Sequence, residues 1–317
     1  MTTPHISVII PVHNAQDTLL DQLDAVRVSQ ATAPPSEIVV VDNRSNDGSI
    51  ALAKQWAAQH REANLRIVDA SGRAGEPHAR NIGLAESRGA LVAFCDADDR
   101  VGPQWLSGLC RALRHRSYAT GPIDTSQLNP AWIADVRGTS VTGRSTMYNL
   151  VPFAHGCNMG FHRDVLDAMG GFDERYLAGC DLDIALRFWN ANVEMGYDED
   201  AVVHYRLRQS LRSTFDQGHF YGRFRIPIRN RIVNRIDDGL YDLGDPGWPR
   251  RVGWLVKHAP RVLLSKKVRA RWVWVLGQLY GEWRGERDPY TIDLTAVERT
   301  GPSELPMRNI NEWEADS

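Results

Sequence analysis

Leu91-Val92-Ala93-Phe94-Cys95-Asp96-Ala97-Asp98-Asp99 is a short apolar run that ends in three closely spaced carboxylates. Continuous apolar residues of this number are typical of a buried strand. Carboxylates at the end of such a strand repel one another unless a cation or hydrogen bonds compensate their charge. Hard divalent cations such as Mg²⁺ and Mn²⁺ take oxygen ligands and often hold substrate phosphates as well. The stretch therefore predicts a metal–diphosphate site, although a solvated acidic turn is the simpler interpretation of the carboxylates taken alone.

Strand and helix signals alternate before this stretch. Apolar, often β-branched runs predict strands over 6–12, 38–41, 65–68 and 91–95. Apolar residues at helical spacing predict helices over 19–26, 50–60 and 79–87. Apolar strands separated by helices predict an α/β fold, with a mainly parallel sheet covered by helices on both faces. Such sheets bind ligands at the carboxyl ends of their strands. We therefore expect convergence there of the polar turns at 13–14, 42–43 and 96–98.

The overall composition is that of an ordinary globular protein, but its charge is unevenly distributed. The 317 residues are 43% hydrophobic and 24% charged, with a net charge of -2. Residues 201–281 contain 16 Lys and Arg against five Asp and no Glu, a net charge of +11, so the remaining residues carry −13. A basic C-terminal third on an acidic body indicates an anionic surface or substrate near that third.

Residues 246–281 carry eight Lys and Arg and no acid, interleaved with Trp and aliphatic residues. This pattern predicts two helices broken near Pro260, each with an apolar stripe and a basic face. Helices of this kind bind anionic membrane surfaces. Alternatively, the apolar stripes pack on the catalytic domain and the cations are only solvated. We do not expect nucleic acid binding, because no nucleic-acid-reading motif accompanies the charge.

The four cysteines and the N-terminus favour a cytoplasmic location. Cys95, Cys110, Cys157 and Cys180 are scattered without metal-like pairs, which fits a reducing compartment. Residues 1–7 lack the basic stretch and apolar core of a signal peptide. No run approaches the roughly 18 apolar residues of a membrane span. We expect a cytoplasmic protein, with peripheral attachment to the inner membrane face if the basic helices bind lipid.

Seven short motifs occur along the chain in a fixed order that is informative. They are Ile9-Ile10-Pro11-Val12-His13-Asn14, Val40-Val41-Asp42-Asn43-Arg44-Ser45-Asn46-Asp47-Gly48-Ser49, Ala79-Arg80-Asn81-Ile82-Gly83, Phe94-Cys95-Asp96-Ala97-Asp98-Asp99, Gly171-Phe172-Asp173-Glu174, Cys180-Asp181-Leu182-Asp183 with Arg187, and Val202-Val203-His204. Over about residues 5 to 206 the chain resembles the family 2 glycosyltransferases of GT-A fold. The resemblance implies inverting transfer of a sugar from a nucleotide-diphosphate donor (a UDP-, dTDP- or GDP-sugar), with Mg²⁺ or Mn²⁺ as cofactor.

The resemblance also implies roles for individual residues. Asp181 would be the general base, while Asp98 and His204 would bind the metal. Asn158 and Asp183 would contact the sugar or the acceptor, with Asp183 able to pair with Arg187 four residues on. The donor would be bound by Pro11, Val12, His13, Asn14, Asp42, Arg80, Asp96, Ala97 and Asp98, with Asp42 at the nucleotide base and Asp96 at the ribose.

Each of these residues has a simpler alternative role. Asp42 could bond its own turn, and Arg80 could be an exposed helix-face arginine. His204 could be a strand-end histidine with a satisfied hydrogen bond. Asp181 and Asp183 could be acids at a solvated helix N-terminus.

One departure from the family pattern concerns the acceptor. Many relatives have Glu where this chain has Cys180. A cysteine supplies no carboxylate, so any acceptor contact made by that Glu is lost.

We expect four regions: a nucleotide-sugar-binding half over 1–110, an acceptor-binding and catalytic half over 111–206, a basic helical extension over 207–287 and a polar tail over 288–317. The expected function is sugar transfer to a hydroxyl of a glycan or lipid-linked acceptor, in cell-envelope or extracellular polysaccharide synthesis. A nucleotide-sugar-binding protein without turnover is the alternative. The sequence leaves open the donor base, the sugar, the acceptor and the oligomeric state.

Overall fold

The computed structural model of the chain describes residues 5–134, 142–147, 150–233 and 247–285. The strands are β1 (Ile6–Val12), β2 (Ser36–Asp42), β3 (Leu65–Asp69), β4 (Leu91–Phe94), β5 (Arg100–Val101), β6 (Tyr118–Thr120), β7 (Ile123–Asp124), β8 (Ser145–Met147), β9 (Val151–Phe153), β10 (Met159–His162), β11 (Met195–Tyr197) and β12 (Val203–His204). The helices are α1 (Leu19–Gln30), α2 (Ser49–Gln59), α3 (Glu76–Glu86), α4 (Trp105–Leu113), α5 (Ala131–Ala134), α6 (Arg163–Ala168), α7 (Cys180–Asn190), α8 (Leu211–Val233), α9 (Gly247–His258) and α10 (Lys266–Gly285).

The main sheet has seven strands in the order β11-β6-β10-β4-β1-β2-β3. Strands β4, β1, β2 and β3 run parallel, and β10 lies antiparallel between β4 and β6. The mainly parallel sheet predicted from the sequence is therefore confirmed. Successive strands progress from β1 to β3 in one direction, and β4 returns to the opposite side of β1. This reversal opens a cleft at the carboxyl ends of β1 and β4, which is where such sheets bind ligands.

Both faces of the sheet are buried, which is why its strands are apolar throughout. On one face, Ile9 and Phe94 pack with α3, α6 and α7. On the other, Val8 and Ile10 pack with α1, α2 and α4. Each fully buried side chain of this size contributes about 1.5–3 kcal/mol to folding. The resulting three layers hold the strand ends, and therefore the turns that follow them, in fixed positions.

Helix α3 begins three residues earlier than the sequence pattern indicates. Its first turn contains Pro77, which fits there because the missing N–H has no partner at that position. Gly75 precedes the helix with φ of 132°, a conformation that favours glycine. The earlier start brings Glu76 onto the helix, four residues before Arg80.

The C-terminal helices confirm the predicted break at Pro260, where a 3₁₀ turn over Ala259–Val262 separates α9 from α10. Helix α10 lies along α8, and glycines allow their backbones to approach closely. A Cβ at Gly222 would lie 2.2 Å from the carbonyl oxygen of Gln278. A Cβ at Gly281 would lie 2.2 Å from that of His219.

A buried ionic group joins the same three helices. The Glu282 carboxylate accepts hydrogen bonds from Arg225 of α8 at 2.9 Å and from Arg251 of α9 at 2.6 Å. The extension also contacts the α/β body, through Ile228 in the core beside α7 and through Ala270 against Leu207. Packing on the body therefore accounts for part of the apolar stripe. In the described part of the chain, no helix is both long enough and apolar enough to cross a membrane. The predicted tail over 288–317 lies outside the described residues.

Candidate active site

The polar turns after the parallel strands meet at the carboxyl edge of the sheet, as predicted. His13 Nδ1 donates to the Asn43 carbonyl oxygen at 2.8 Å. Asn14 Oδ1 accepts from the backbone N–H of Asn46 at 2.8 Å. Gln22 of α1 donates to the carbonyl oxygen of Asp96 at 2.7 Å. The loops after β1, β2 and β4 thus form one hydrogen-bonded rim around the cleft.

Two residues assigned to the donor differ in what they can offer. Val12 is 1% exposed and belongs to the core, so its side chain is not available to a ligand. Asp42 uses Oδ1 to accept the backbone N–H of Ser45 at 2.9 Å, so the turn interpretation holds for that oxygen. No hydrogen bond from the described residues reaches Asp42 Oδ2. That oxygen can accept from a ring N–H of a nucleotide base.

Arg80 is the centre of the site, and it is buried with only 1% of its side chain exposed. Its Nη2 donates to the Gly156 carbonyl oxygen at 3.0 Å and lies 3.2 Å from Asp96 Oδ1. Its Nη1 donates to Cys180 Sγ at 3.1 Å. Glu76, one helical turn earlier on α3, forms an ion pair with Nη2. The alternative of an exposed helix-face arginine is therefore wrong. Arg80 balances carboxylate charge and is too deeply buried to reach a phosphate.

The charges around Arg80 shift the pKa values of their neighbours. Burial alone would lower the pKa of the Arg80 guanidinium, but Glu76, Cys180 and Asp96 raise it, so this cation stays charged. Burial, together with the charge of Glu76, raises the pKa of Asp96 to about 8, although 28% of its side chain is exposed. Without a further cation, the protonated form of Asp96 is therefore favoured at neutral pH, and a bound cation would favour the ionised form.

A second buried carboxylate, Asp99, lies behind Asp96. It is 0% exposed. One of its oxygens accepts from the backbone N–H of Arg206 at 2.7 Å, and Oδ2 has no hydrogen-bond partner among the described residues. Burial and the nearby charges of Asp98 and Asp96 raise the pKa of Asp99 well above its usual value. An unpaired buried carboxylate oxygen beside two more carboxylates fits a site that a cation completes.

The structure contains one compact group of potential metal ligands among the described residues. Ligand atoms of Asp96, Asp99 and Cys157 lie within 4.8 Å of one another. Burial raises the pKa of the Cys157 thiol well above its usual value. Because the thiolate rather than the thiol binds metals, the group offers carboxylate oxygens only. Oxygen ligands suit Mg²⁺ and Mn²⁺.

The predicted ligands Asp98 and His204 lie outside that compact group but border it. Asp98 is 30% exposed, and Arg208 Nη2 pairs with its carboxylate at 3.1 Å. Strand β12 places His204 opposite Arg100 and Asp124. His204 Nδ1 donates to Asp124 Oδ2 at 2.8 Å. The other ring nitrogen, Nε2, is therefore the one that can bind a metal. A carboxylate behind an imidazole is a usual arrangement for a metal-binding histidine.

Asp181 lies in the first turn of α7. Its Oδ2 accepts from the Gly156 backbone N–H at 3.0 Å. The carbonyl oxygen of Gly156 accepts from Arg80, so this one peptide segment links the candidate base to the buried cation. A Cβ at Gly156 would lie 2.8 Å from Arg80 Nη2, so a larger residue would displace the guanidinium from its present position. The structure thus brings Asp96, Arg80, Cys180 and Asp181 together.

Asn158 and Asp183, the two expected sugar or acceptor contacts, are engaged elsewhere. Asn158 is 0% exposed, and its amide accepts from Trp105 at 2.9 Å and donates to the Ala201 carbonyl oxygen at 2.8 Å. Asp183 is 1% exposed and accepts from Arg187 Nε at 2.9 Å, so the predicted pairing is confirmed. Both side chains hold elements in place, and the structure gives neither a surface for direct ligand contact.

Glu174 forms a second polar cluster beside α3. It accepts hydrogen bonds from His78 and Asn81, each at 3.1 Å, and pairs with Arg73 at 3.1 Å. Burial alone would raise the pKa of Glu174, but these donors lower it below its ordinary value. The cluster fixes the loop that follows β3 at the rim of the cleft.

Four residues of the site were not predicted from the sequence: Glu76, Asp124, Gly156 and Arg208. The pairing of Glu76 with Arg80 could have been predicted, because an acidic and a basic residue four positions apart on a helix lie side by side. Asp124 precedes its partner His204 by 80 residues. Gly156 and Arg208 likewise meet their partners only in the folded chain, so no local pattern marks them.

Comparison with known proteins identifies matching families over most of the chain. The family model described as "Glycosyl transferase family 2" matches residues 7–170, and "Glycosyl transferase family group 2" matches residues 91–280. Glycosyltransferase AglE of Haloferax volcanii is 28% identical over 241 residues, which are 74% of this chain and 78% of that protein. Poly(ribitol-phosphate) beta-glucosyltransferase of Bacillus spizizenii is 29% identical over 102 residues, 32% of this chain and 16% of that protein.

A solved structure shares the fold. Mannosyltransferase PcManGT from Pyrobaculum calidifontis, in complex with GDP-Man and Mn²⁺, superposes with a TM-score of 0.64 at 18% identity. The match covers 91% of this chain and 89% of that one. The described part of the present chain therefore has the same arrangement of sheet and helices, including helices beyond the sheet.

Proposed function

The chain belongs to glycosyl transferase family 2 and has a GT-A fold, and on that premise we propose that it is an inverting, metal-dependent sugar transferase. The donor would be a nucleotide-diphosphate sugar, and the acceptor a hydroxyl of a glycan or lipid-linked molecule. A role in cell-envelope or extracellular polysaccharide synthesis is supported by the name of the poly(ribitol-phosphate) relative. We propose that the protein acts in the cytoplasm, at the inner face of the membrane.

One observation carries this proposal: Arg80 holds the carboxylate of Asp96 and, through Gly156, the carboxylate of Asp181 at the same cleft. Asp96 follows β4, at the point where the order of strands in the sheet reverses. Nucleotides bind at this point in α/β proteins. Asp181 reaches the cleft from α7. Asp181 would supply the general base that an inverting transfer requires, and Asp96 would hold the donor.

On the donor side, Asp42 Oδ2 would accept a ring N–H of the nucleotide base. This contact selects the base, because a buried acceptor left without a donor costs about 1–3 kcal/mol. Asp96 would contact the ribose. Asp98 and the Nε2 of His204 would hold Mg²⁺ or Mn²⁺, with Asp124 fixing the ring of His204. When bound, the cation neutralises the negative charge of the diphosphate leaving group.

On the acceptor side, Asp181 would take the proton of the attacking hydroxyl. The Gly156 N–H fixes one of its oxygens, so the carboxylate is oriented before the acceptor arrives. General-base catalysis of this kind contributes about 10²–10⁴ in rate. Asp181 acts opposite the donor's leaving group, and the transfer inverts the configuration at the anomeric carbon.

Cys180 is the feature that favours the alternative of a binding protein without turnover. Burial raises the pKa of its thiol, so it supplies no charge at neutral pH. Glu76, however, places a carboxylate next to Arg80, which Cys180 also contacts. Glu76 of α3 therefore supplies beside Arg80 the negative charge that Cys180 does not. This arrangement supports an active enzyme over a binding protein without turnover.

Thermal stability with UDP, GDP, dTDP and CDP, each with and without Mn²⁺, tests the donor site. A ligand that binds only the folded state raises its Tm. We expect a metal-dependent rise with one nucleotide. If no nucleotide at millimolar concentration shifts the Tm, the carboxylate cluster is not a diphosphate site.

Asp181→Asn then separates catalysis from binding. We expect the nucleotide-dependent rise in Tm to persist, while release of nucleoside diphosphate from the donor sugar falls by about 10²–10⁴-fold. Asp216→Asn, an exposed aspartate on α8, is the matched control. A variant at residue 181 with unchanged turnover removes Asp181 as the base, and donor binding without any turnover in the wild type favours the binding-protein alternative.

A further inference from the structure

The turn between α9 and α10 presents two adjacent leucines to solvent. Leu263 is 83% exposed and Leu264 is 87% exposed, more than any other large apolar residue in the described part of the chain. Val256 and Trp248 of α9 add further apolar surface, at 70% and 56% exposure. Single exposed apolar residues are common, but a group of them within one short segment marks an interaction surface.

Cations surround these leucines. Arg261 precedes them, Lys266 and Lys267 follow them, and no acidic residue occurs from 247 to 281. Within the described residues, the side chains of Arg261 and Lys266 form no ion pair. They are therefore available to an anionic partner.

The turn is held in this conformation by its own helix. Arg269 of α10 donates to the carbonyl oxygens of Val262 at 2.9 Å and Leu263 at 3.2 Å. These bonds occupy backbone acceptors at the end of the 3₁₀ turn. The exposed leucines are consequently part of an ordered turn, and burying them in a partner does not require the turn to fold.

We infer that this surface, comprising Leu263, Leu264, Arg261, Lys266 and Lys267, docks on an anionic phospholipid bilayer. The two leucines would enter the acyl boundary, and the cations would lie among the lipid phosphates. Each cation near such a surface adds to the attraction, and apolar residues inserted beside them add a salt-independent part. An acid-free, strongly basic rim fits lipid phosphates better than it fits a second copy of this chain, which would bring the same charges together.

The docking surface is connected to the candidate active site through helix α10. Ala270, six residues after Leu264, packs against Leu207. The next residue, Arg208, pairs with Asp98 at the donor site. The helix that begins at the docking turn therefore borders the candidate active site. If the proposed function holds, docking would bring the donor site that contains Asp98 close to the bilayer in which a lipid-linked acceptor is anchored.

Vesicle co-sedimentation of the full chain, without nucleotide, tests the inference. The vesicles would be phosphatidylcholine alone or with about one third phosphatidylglycerol, in about 0.05 M and about 0.5 M salt. We expect binding to the anionic vesicles only, weakened at the higher salt. Leu263→Ser/Leu264→Ser and, separately, Arg261→Gln/Lys266→Gln should each weaken binding by roughly tenfold or more. Val28→Ser, at a 48% exposed apolar residue on α1, is the matched control and should bind as the wild type does.

Three results would overturn the inference: no binding to anionic vesicles, equal binding to phosphatidylcholine alone, or unchanged binding of both double variants. Sedimentation velocity of the wild type and the leucine variant tests whether a second copy of the chain, rather than a bilayer, covers the turn. A wild-type dimer that the leucine variant dissociates would show that a second copy covers the turn. Because vesicle binding needs no donor and the nucleotide-dependent Tm needs no vesicles, failure of one proposal is distinguishable from failure of the other.

Discussion

Arg80→Ala is the perturbation that tests the architecture of the site most directly. Arg80 donates to Asp96, Gly156 and Cys180 and pairs with Glu76, and it is 1% exposed. Alanine would leave the Asp96 carboxylate facing Glu76 without a cation between them. It would also leave the carbonyl oxygen of Gly156 without this donor.

The size of the effect follows from the exposure of the partners. Removing one member of a buried ion pair costs about 3–5 kcal/mol, because the remaining charge stays buried and uncompensated. Here the lower end applies, because Glu76 is 44% exposed and can be hydrated, while Asp96 is 28% exposed and, with its raised pKa, can take up a proton. A loss of about 3 kcal/mol, at about 2 °C per kcal/mol for a large domain, lowers the Tm by about 6 °C.

Calorimetry of Arg80→Ala beside Arg111→Ala provides the comparison. Arg111 also contacts two carboxylates, Asp198 and Asp200, but it is 43% exposed. Exposed pairs contribute about 0–1 kcal/mol, so Arg111→Ala should change the Tm by about 2 °C or less. Arg80→Lys should fall between the two variants, since one ammonium cannot reproduce the fork of donors. Equal Tm values for the two alanine variants would refute the assignment of Arg80 as the buried centre of the site.

Three further predictions concern the metal, pH and the helical extension. Asp124→Ala should leave His204 unoriented and weaken Mn²⁺-dependent nucleotide binding by about 10–100-fold, measured by titration calorimetry; unchanged affinity would remove Asp124 from the site. The donors around Glu174 lower its pKa below 4.5 in the folded protein, so its stabilising contribution is present above pH 4.5 and lost as the pH falls through the lower folded-state value. The difference in unfolding free energy between wild type and Glu174→Gln, measured in urea, should therefore be full at pH 7 and vanish in acid, and a difference that grows in acid would contradict the assignment. Gly281→Ala should separate α10 from α8 and lower stability by about 1–3 kcal/mol or more, whereas Gly253→Ala, whose Cβ meets nothing within 4 Å, should not destabilise the protein.

The strands and the converging turns were predictable from the sequence because their signals are local. The run from Leu91 to Cys95 is apolar at every residue, and both faces of β4 are in fact buried. Helix α3 was predicted three residues short, because its first turn has no apolar periodicity and is set by Gly75 and Pro77. Boundaries were thus lost where backbone conformation, rather than hydrophobic pattern, decides them.

The roles of polar residues were less predictable than the fold. The family resemblance implied that Asn158 contacts a ligand, but Trp105, 53 residues away, donates to its amide oxygen. The basic helices were consistent with either membrane binding or packing on the body. The structure shows packing through α8 and Ala270, while leaving Leu263 and Leu264 exposed.

The amino-acid sequence was sufficient to predict the alternation of the first four strands with three helices, the carboxylates after β4 and the basic character of the C-terminal third. Those features arise from residues adjacent in the chain, where alternation, apolar runs and turn residues act locally. Most of the contacts of Arg80 depend on the tertiary structure. Glu76 is its neighbour on the same helix, but the other three partners, Asp96, Gly156 and Cys180, lie 16, 76 and 100 residues away. Three layers of packed side chains bring these segments together, and only their packing turns separate carboxylates and one buried cation into a single site.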